Sequence, residues 1–180
     1  MKTHWTEDQT VDLKKLRELF DRGLVAGIGD KEQTCIEGAI TLACGFELTD
    51  RPPCVAGADR IWSITINDAP WSSETVRAET LWPVALAQIG TAGTDRRPWT
   101  TRVVEGTIRR VLPIVLRNVA VRHIAARHGE FAVRDVANNT IYRATFHAAA
   151  VAAEGARMAF EARDAILREA VAVAVDAYSF

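Results

Sequence analysis

The chain has 180 residues, 48% of them hydrophobic and 25% charged, which is long enough for one globular domain with a buried core. Its net charge of −1 argues against a general nucleic-acid binder, because such proteins carry a strongly basic domain. No apolar run approaches the roughly 18 residues of a membrane span. Residues 1–8 also lack the basic start and apolar stretch of a signal peptide, so we expect a cytoplasmic protein.

Two helices that end at glycines are predicted near the N-terminus. The sequence Thr6-Glu7-Asp8-Gln9 is a capping box, and the apolar spacing that follows predicts a first helix that ends before Gly23. A second helix is predicted from about Lys31 to Cys44, with Gly45 where a left-handed residue is favoured. The first helix has the apolar face Val11, Leu13, Leu16, Leu19 and Phe20.

Residues 54–67 fit two kinds of secondary structure. Trp62, Ile64 and Ile66 alternate as in a strand, whereas Val55, Ala58 and Ile61 fit a helical face. An isolated strand would leave backbone groups unpaired, because no second strand is evident in the sequence. We therefore predict a helix here.

Two tryptophans precede predicted helix starts in the same way. Pro70-Trp71-Ser72-Ser73 and Pro98-Trp99-Thr100-Thr101 each place a hydroxyl residue after the tryptophan, where an N-cap belongs. Each predicted cap, Ser72 or Thr100, is followed four residues later by a valine, Val76 or Val104. This spacing predicts hydrophobic staples, in which the residue before the cap packs on the fourth helical residue.

The later helices contain two prolines. Pro83 and Pro113 are expected to kink the third and fourth clear helices, and Gly129 is expected to end the fourth. The fourth helix has the apolar stripe Val104, Ile108, Val111, Val115 and Val119. The alanine-rich remainder, from about Arg134 to Ala177, is predicted to be helical, with a bend near Gly155. It is expected to pack on a copy of itself in a homo-oligomer.

These elements together predict an all-α fold. We expect residues 1–180 to form a single domain, an irregular bundle of five to six helices, two of them kinked by proline.

The two tryptophan-marked helix starts are candidate anion sites, because a helix N-terminus presents free N–H groups and a positive dipole. Neighbouring arginines could add charge, and the indoles could stack on a base. The alternative is that these are capped helices without a ligand. The candidate ligand-binding residues are Trp71, Ser72, Ser73, Arg77, Arg96, Arg97, Trp99, Thr100, Thr101 and Arg102.

Charge is unevenly distributed along the chain. Residues 1–90 contain 14 acidic and 9 basic residues, a balance of −5, whereas residues 91–180 contain 9 and 13, a balance of +4. Arg102, Arg109, Arg110 and Arg117 form a ridge along the fourth helix that could grip phosphate. We favour a solvated face paired with acids of the N-terminal half.

Cys35, near the start of the second helix, is a weak catalytic candidate together with Glu37. A helix N-terminus lowers the pKa of a thiol, but a nucleophile also needs a base, and the histidines are distant in sequence. The favoured interpretation is that all three cysteines, Cys35, Cys44 and Cys54, are packed thiols. No metal site is predicted, because His-Glu-x-x-His and other ligand spacings are absent.

A set of short motifs lies between residues 35 and 90: Cys35-Ile36-Glu37-Gly38-Ala39, Pro53-Cys54-Val55, Asn67-Asp68, Trp71-Ser72-Ser73, Arg77-Ala78-Glu79 and Ala85-Leu86-Ala87-Gln88-Ile89-Gly90. This set, under a third of the chain, resembles a group of uncharacterised proteins encoded in bacterial and phage genomes. No activity attaches to that group. The resemblance therefore implies a natural domain, is compatible with a phage context, and assigns no role to any residue.

The leading functional hypothesis from the sequence is a non-catalytic helical module that binds a small anionic, nucleotide-like ligand without a cofactor. Phage-type sequestration of a signalling nucleotide is one form of that hypothesis. The alternatives are a cysteine-dependent hydrolase or transferase that uses Cys35, and a protein–protein adaptor with no ligand.

Overall fold

We describe residues 10–118 and 160–179 of a computed structural model, leaving aside the side chains of 116–118 and 160–162. Over these ranges the chain is mainly helical and forms no sheet, which confirms the all-α prediction. One antiparallel bridge joins Gly29 and Thr34. The chain divides into two compact units with the boundary between Arg96 and Arg97, and the single domain over 1–180 stays a prediction.

Several predicted features lie outside the described ranges. They are the Thr6–Gln9 capping box, Val119, all four histidines (His4, His123, His128 and His147), the helix end at Gly129, the bend at Gly155 and most of the alanine-rich segment. None of the described helices has both the length and the apolar content needed to cross a membrane.

The first unit is built around a short helix that is buried on all sides. Its helices are α1 (Leu13–Asp21), α2 (Ile36–Ala43), α3 (Gly57–Asn67) and α4 (Glu74–Gln88). All eight residues of α2 are buried, and α2 packs against the other three helices. Apolar burial of this kind is the main stabilising term in folding. The fully buried core side chains include Leu16, Leu24, Ile36, Ile40, Leu81 and Val84.

Both early helices begin later than the sequence predicts. Asp12 caps α1 by accepting from the backbone N–H of Lys15 at 2.9 Å, so Val11 precedes the helix. The predicted start of α2 near Lys31 is wrong because Asp30 Oδ1 accepts from the N–H groups of Glu32 and Gln33. This local turn competes with helix formation. Gly45 follows α2 with a φ of +78°, as its predicted left-handed role requires.

Residues 57–67 form a helix, which confirms the preferred prediction for that segment. The end of α3 also makes hydrogen bonds to the glycine-rich loop of residues 23–29, which lies between α1 and α2. Asn67 donates through Nδ2 to the carbonyl of Val25 at 2.8 Å, and Asp68 Oδ1 accepts from the N–H of Gly27 at 2.8 Å. These contacts fix the approach of the chain to α2.

The cap of α4 lies one residue later than predicted. Ser73, not Ser72, is the N-cap, and its Oγ accepts from the N–H of Val76 at 3.1 Å. The fourth helical residue is then Arg77, so the predicted staple between Trp71 and Val76 is out of register. Pro83 lies inside α4, which continues to Gln88.

The second unit contains α5 (Arg97–Gly106), a π-helical turn (Thr107–Val111), α6 (Leu112–Asn118) and α7 (Phe160–Tyr178). The predicted cap at Thr100 is wrong, because α5 already begins at Arg97 and places Pro98 in its first turn, where proline is tolerated. The predicted staple at Trp99 is lost with that cap. Gly106 lies against α7, since a Cβ there would come within 2.5 Å of Val173 Cγ1.

The disturbance predicted at Pro113 takes the form of the π-helical turn. The N–H of Leu112 donates to the carbonyl of Thr107, five residues back. A proline has no N–H and its ring clashes with the carbonyl four residues earlier, and a π-turn just before it accommodates both effects. Of the predicted apolar stripe, Val111 and Val115 are buried whereas Val104 and Ile108 are only half-buried, and Val103 is buried beside them.

Candidate functional site

Both tryptophans predicted to contact a ligand belong to the core of their own unit. Trp71 is 6% exposed, and its Nε1 donates to the carbonyl of Ile66 at 2.9 Å. Trp99 is 3% exposed, donates to the carbonyl of Ala174 at 3.3 Å, and lies 5.4 Å from the ring of Tyr178. Buried indoles usually satisfy their N–H in this way. Neither ring presents an open face for stacking on a base.

Three of the predicted anion-binding arginines make contacts inside the protein. Arg77 is buried, and its Nη1 donates to the carbonyl of Leu24 at 2.6 Å. Arg96 makes a bidentate pair with the fully buried Asp59, at 2.7 and 2.6 Å. Arg102 donates to the carbonyl of Ala177 at 3.3 Å.

The remaining predicted ligand residues lie at the two helix starts. Ser72, Ser73, Arg97 and Thr101 are exposed, and Thr100 is half-buried. The hydroxyl of Thr101 donates to the carbonyl of Arg97 at 2.9 Å, within the same helix. Anion binding by these residues stays a prediction.

The arginine ridge of the second unit is paired differently from our expectation. Arg110 donates through Nε to Glu169 at 2.6 Å and through Nη1 to Asp176. Both acids belong to α7, not to the N-terminal half of the chain. Arg109 is exposed, and the side chain of Arg117 is outside the described set.

Cys35 caps α2, and this position does not activate it. It is 2% exposed, and its Sγ accepts from the N–H of Gly38 at 3.4 Å. Burial raises the pKa of the Cys35 thiol more than the N–H groups of the helix start lower it. The lowered pKa that its position suggested is therefore wrong. The negative charge of Glu37 also acts to raise it, and a catalytic role for Cys35 and Glu37 stays a prediction.

The structure brings together two of the three cysteines that were predicted to be packed thiols. Cys44 Sγ and Cys54 Sγ lie 3.5 Å apart, with Cys54 fully buried and Cys44 partly exposed. Cys44 is the C-cap of α2, and its N–H donates to the carbonyl of Ile40. The carbonyl of Cys54 accepts from the N–H groups of Gly90 and Ala92 at 2.9 and 3.2 Å, which ties its loop to the end of α4.

The hydrogen bond between the two thiols separates their acidities. It acts to lower the pKa of Cys54 and to raise the pKa of Cys44. The backbone N–H of Gly90 also helps to lower the pKa of Cys54, against the opposing effect of burial. A hydrogen bond to the charged form of a group favours that form. The pair can thus share one negative charge between two adjacent sulfurs.

Glu37 lies on the same helix as Cys44 and is fully buried. Seven residues separate them, which is two helical turns, so their side chains project from the same face of α2. The hydroxyl of Ser63 donates to Glu37 Oε1. Burial raises the pKa of Glu37 to about 8, although the Ser63 hydroxyl and the Gln88 amide act to lower it. At neutral pH this carboxyl is therefore mostly protonated.

One oxygen of this carboxyl and two neighbouring polar atoms, all buried, make no hydrogen bond of normal geometry within the described structure. They are Glu37 Oε2 and both amide atoms of the fully buried Gln88. Buried polar groups are otherwise almost always satisfied. The amide of Gln88 is close enough to lower the pKa of Glu37, so these atoms form one polar cluster in the core of the first unit.

Sequence reasoning missed Cys44, Cys54, Ser63 and Gln88 as members of one site. One signal was available for the cysteines. Gly45 directly follows Cys44, and two prolines directly precede Cys54, so turn-forming residues bound the segment between them. Such a segment can fold back and bring its ends together.

Neither a family model nor a curated protein nor a solved structure matches this chain. The resemblance to bacterial and phage proteins stays a prediction.

Proposed function

We propose that the protein is a dithiol–disulfide exchange module that uses Cys44 and Cys54. The observation that carries this proposal is the 3.5 Å separation of the two sulfurs. A disulfide requires about 2.05 Å, so a relative movement of roughly 1.5 Å closes the bond. Cys44 is partly exposed and Cys54 is buried, which suits attack on an external disulfide by Cys44 and then resolution by Cys54.

The exchange proceeds in two balanced steps with a low-molecular-weight disulfide as the oxidant. In the first, a proton moves from Cys44 to Cys54, and the Cys44 thiolate attacks one sulfur of the oxidant, which releases one thiolate. In the second, Cys54 loses its proton and attacks Cys44 of the mixed disulfide, which releases the other thiolate. Two electrons pass to the oxidant, the single proton of the singly charged pair goes to one released thiolate, and the other thiolate leaves as the anion.

We expect glutathione disulfide to oxidise Cys44 and Cys54 together and to leave Cys35 reduced. Alkylation followed by mass spectrometry counts the remaining thiols and locates the bond. A disulfide that closes the loop from Cys44 to Cys54 should raise the free energy of unfolding by about 3 kcal/mol in the chain-entropy description. Urea denaturation of the oxidised and reduced protein measures that difference.

Single variants separate exchange from adventitious oxidation. In Cys54→Ser the resolving thiol is absent, so a mixed disulfide with glutathione should accumulate on Cys44. Cys35→Ser is the matched control and should behave as the wild type, because that buried thiol lies outside the pair. Retention of all three thiols in excess glutathione disulfide, or formation only of bonds between chains, would rule out the proposal.

A second candidate function, binding of a small phosphorylated ligand, is supported by an open groove in the first unit. The groove encloses about 390 Å³, which is within the usual range for ligand sites. Four cations and two carboxylates line it, so its local charge is positive. The lining residues are Asp12, Lys14, Lys15, Glu18, Leu19, Arg22 and Lys31.

We expect Lys15→Ala and Arg22→Ala each to weaken binding of a nucleoside triphosphate roughly tenfold or more, because each removes a charge-assisted contact. Calorimetry measures the affinity. Arg51→Ala removes an exposed cation outside the groove and should bind as the wild type does. No binding heat in any of these proteins, or equal losses in all three variants, contradicts this candidate.

A further inference from the structure

We propose that the reduced Cys44–Cys54 pair is also a binding site for a soft monovalent metal ion of the Cu(I) type, held between the two sulfurs. The sulfurs lie 3.5 Å apart, with Cys54 buried and Cys44 partly exposed. Thiolates are the ligands that soft ions such as Cu(I) select. This site uses the same side chains as the exchange reaction proposed above, but it does not require that reaction to occur.

The number and type of the donors favour such an ion over zinc or a hard cation. Zinc sites in proteins use three or four protein ligands. Within the described ranges, no group of three or more His, Cys, Asp or Glu side chains could hold a metal ion. Mg²⁺ and Ca²⁺ require oxygen ligands, which the two thiols do not supply. Cu(I), unlike zinc, accepts two thiolates alone. The ten-residue spacing of the cysteines is no familiar ligand motif, so the sequence predicted no metal site.

The separation of the sulfurs requires only a small adjustment to admit the ion. With metal–sulfur bonds of about 2.3 Å, a linear unit of sulfur, metal and sulfur spans about 4.6 Å. The sulfurs would therefore move apart by about 1 Å from their present 3.5 Å. This opening is smaller than the closure of roughly 1.5 Å that a disulfide needs. Cys44 can supply the movement, because it is partly exposed whereas Cys54 is fully buried.

The backbone on both sides of the site is already ordered. The N–H of Cys44 donates to the carbonyl of Ile40 at 2.9 Å, at the end of α2. The carbonyl of Cys54 accepts from the N–H groups of Gly90 and Ala92. A ligand set that is held in place before binding loses less conformational entropy when the ion arrives, and this strengthens binding. Only the side chains of the two cysteines need to rearrange.

Binding exchanges protons for the ion and transfers no electron. Cu(I) replaces every proton on the two sulfurs, forms two copper–sulfur bonds and leaves the site with a net charge of −1. A disulfide has no thiolate to offer, so the oxidised pair does not bind the ion in this way. Because linkage is reciprocal, bound Cu(I) must disfavour the disulfide to the same extent. The metal complex and the disulfide are thus mutually exclusive states of one pair.

The experiment titrates the reduced protein with Cu(I) under anaerobic conditions, in competition with a coloured Cu(I) chelator that reports stoichiometry and affinity. We expect the wild type to bind one ion per chain. Cys44→Ser and Cys54→Ser should each weaken binding by more than about 100-fold, because even an outer-shell partner of a metal ligand contributes about 10–100-fold. Cys35→Ser is the matched control and should bind as the wild type does, because that buried thiol lies outside the pair.

Two further measurements test the ligand set itself. X-ray absorption of the copper complex should show two sulfur neighbours, and an equal concentration of Zn(II) should not displace the ion. No binding by the wild type, undiminished binding by Cys44→Ser, an equal loss in Cys35→Ser or displacement by Zn(II) each overturns the metal site and leaves the exchange function standing. If Cys54→Ser does not fold, Cys44→Ser decides the question, because its side chain is partly exposed. Tight Cu(I) binding without disulfide formation supports the metal site and overturns the exchange function.

Discussion

Glu37→Gln should make the protein more stable than the wild type in alkaline solution. The unfolded carboxyl titrates near 4.5 and the folded one at about 8, so the folded state holds the proton more tightly. The stability of the wild type is therefore undiminished below pH 4.5 and falls as the pH rises to about 8. At 1.36 kcal/mol per unit, the loss is on the order of 5 kcal/mol. Glutamine keeps the shape and cannot ionise, so it escapes this loss.

Urea denaturation of both proteins from about pH 5 to about pH 9 measures the difference in the free energy of unfolding. Subtracting the two curves cancels the contributions of other titrating groups. Glu79→Gln is the matched control, because its carboxylate is exposed on α4, and its curve should run parallel to the wild type. If the Glu37→Gln curve is also parallel, then the pKa of Glu37 is not raised in the folded state, which contradicts the prediction.

The helical fold could be predicted because local signals, namely helix caps, glycines at helix ends and apolar spacing, recur along the chain. Gly45 follows α2 where a left-handed residue was expected, the lack of a partner strand favoured a helix for α3, and the alanine-rich sequence predicted α7. These signals act within a few residues, so they are present in the sequence itself. The register of α4 was missed because Ser72 and Ser73 are equivalent locally. The Trp71 indole donates to the carbonyl of Ile66, five residues earlier, and does not form the predicted staple.

The candidate site could not be predicted because its defining properties are tertiary. Charged residues are almost never fully buried, so nothing in the sequence marked Glu37, a weak catalytic candidate beside Cys35, as a core residue. The separation of Cys44 and Cys54 in sequence does not fix the distance between their sulfurs. Arg96 was assigned to a ligand because its partner, Asp59, is 37 residues away in the chain. In each case long-range packing decided the chemistry.

Arg96→Ala should destabilise the protein by about 3–5 kcal/mol, which is the usual cost of removing one partner of a buried ion pair. Asp59 is fully buried on α3, and both of its carboxylate oxygens accept from the Arg96 guanidinium, at 2.7 and 2.6 Å. Removing the guanidinium leaves the carboxylate without those two donors. Urea denaturation at neutral pH measures the loss in the free energy of unfolding.

Two further variants distinguish this structural role from the ligand contact that the sequence suggested. Arg97→Ala removes the next arginine, which is exposed at the start of α5, and should change stability by no more than about 0.5 kcal/mol. Asp59→Asn in the Arg96→Ala background removes the buried charge, so it should restore part of the lost stability. An Arg96→Ala protein as stable as Arg97→Ala would show that the ion pair contributes little. The Arg96 guanidinium would then be available to an anion, in support of the predicted anion site near the start of α5.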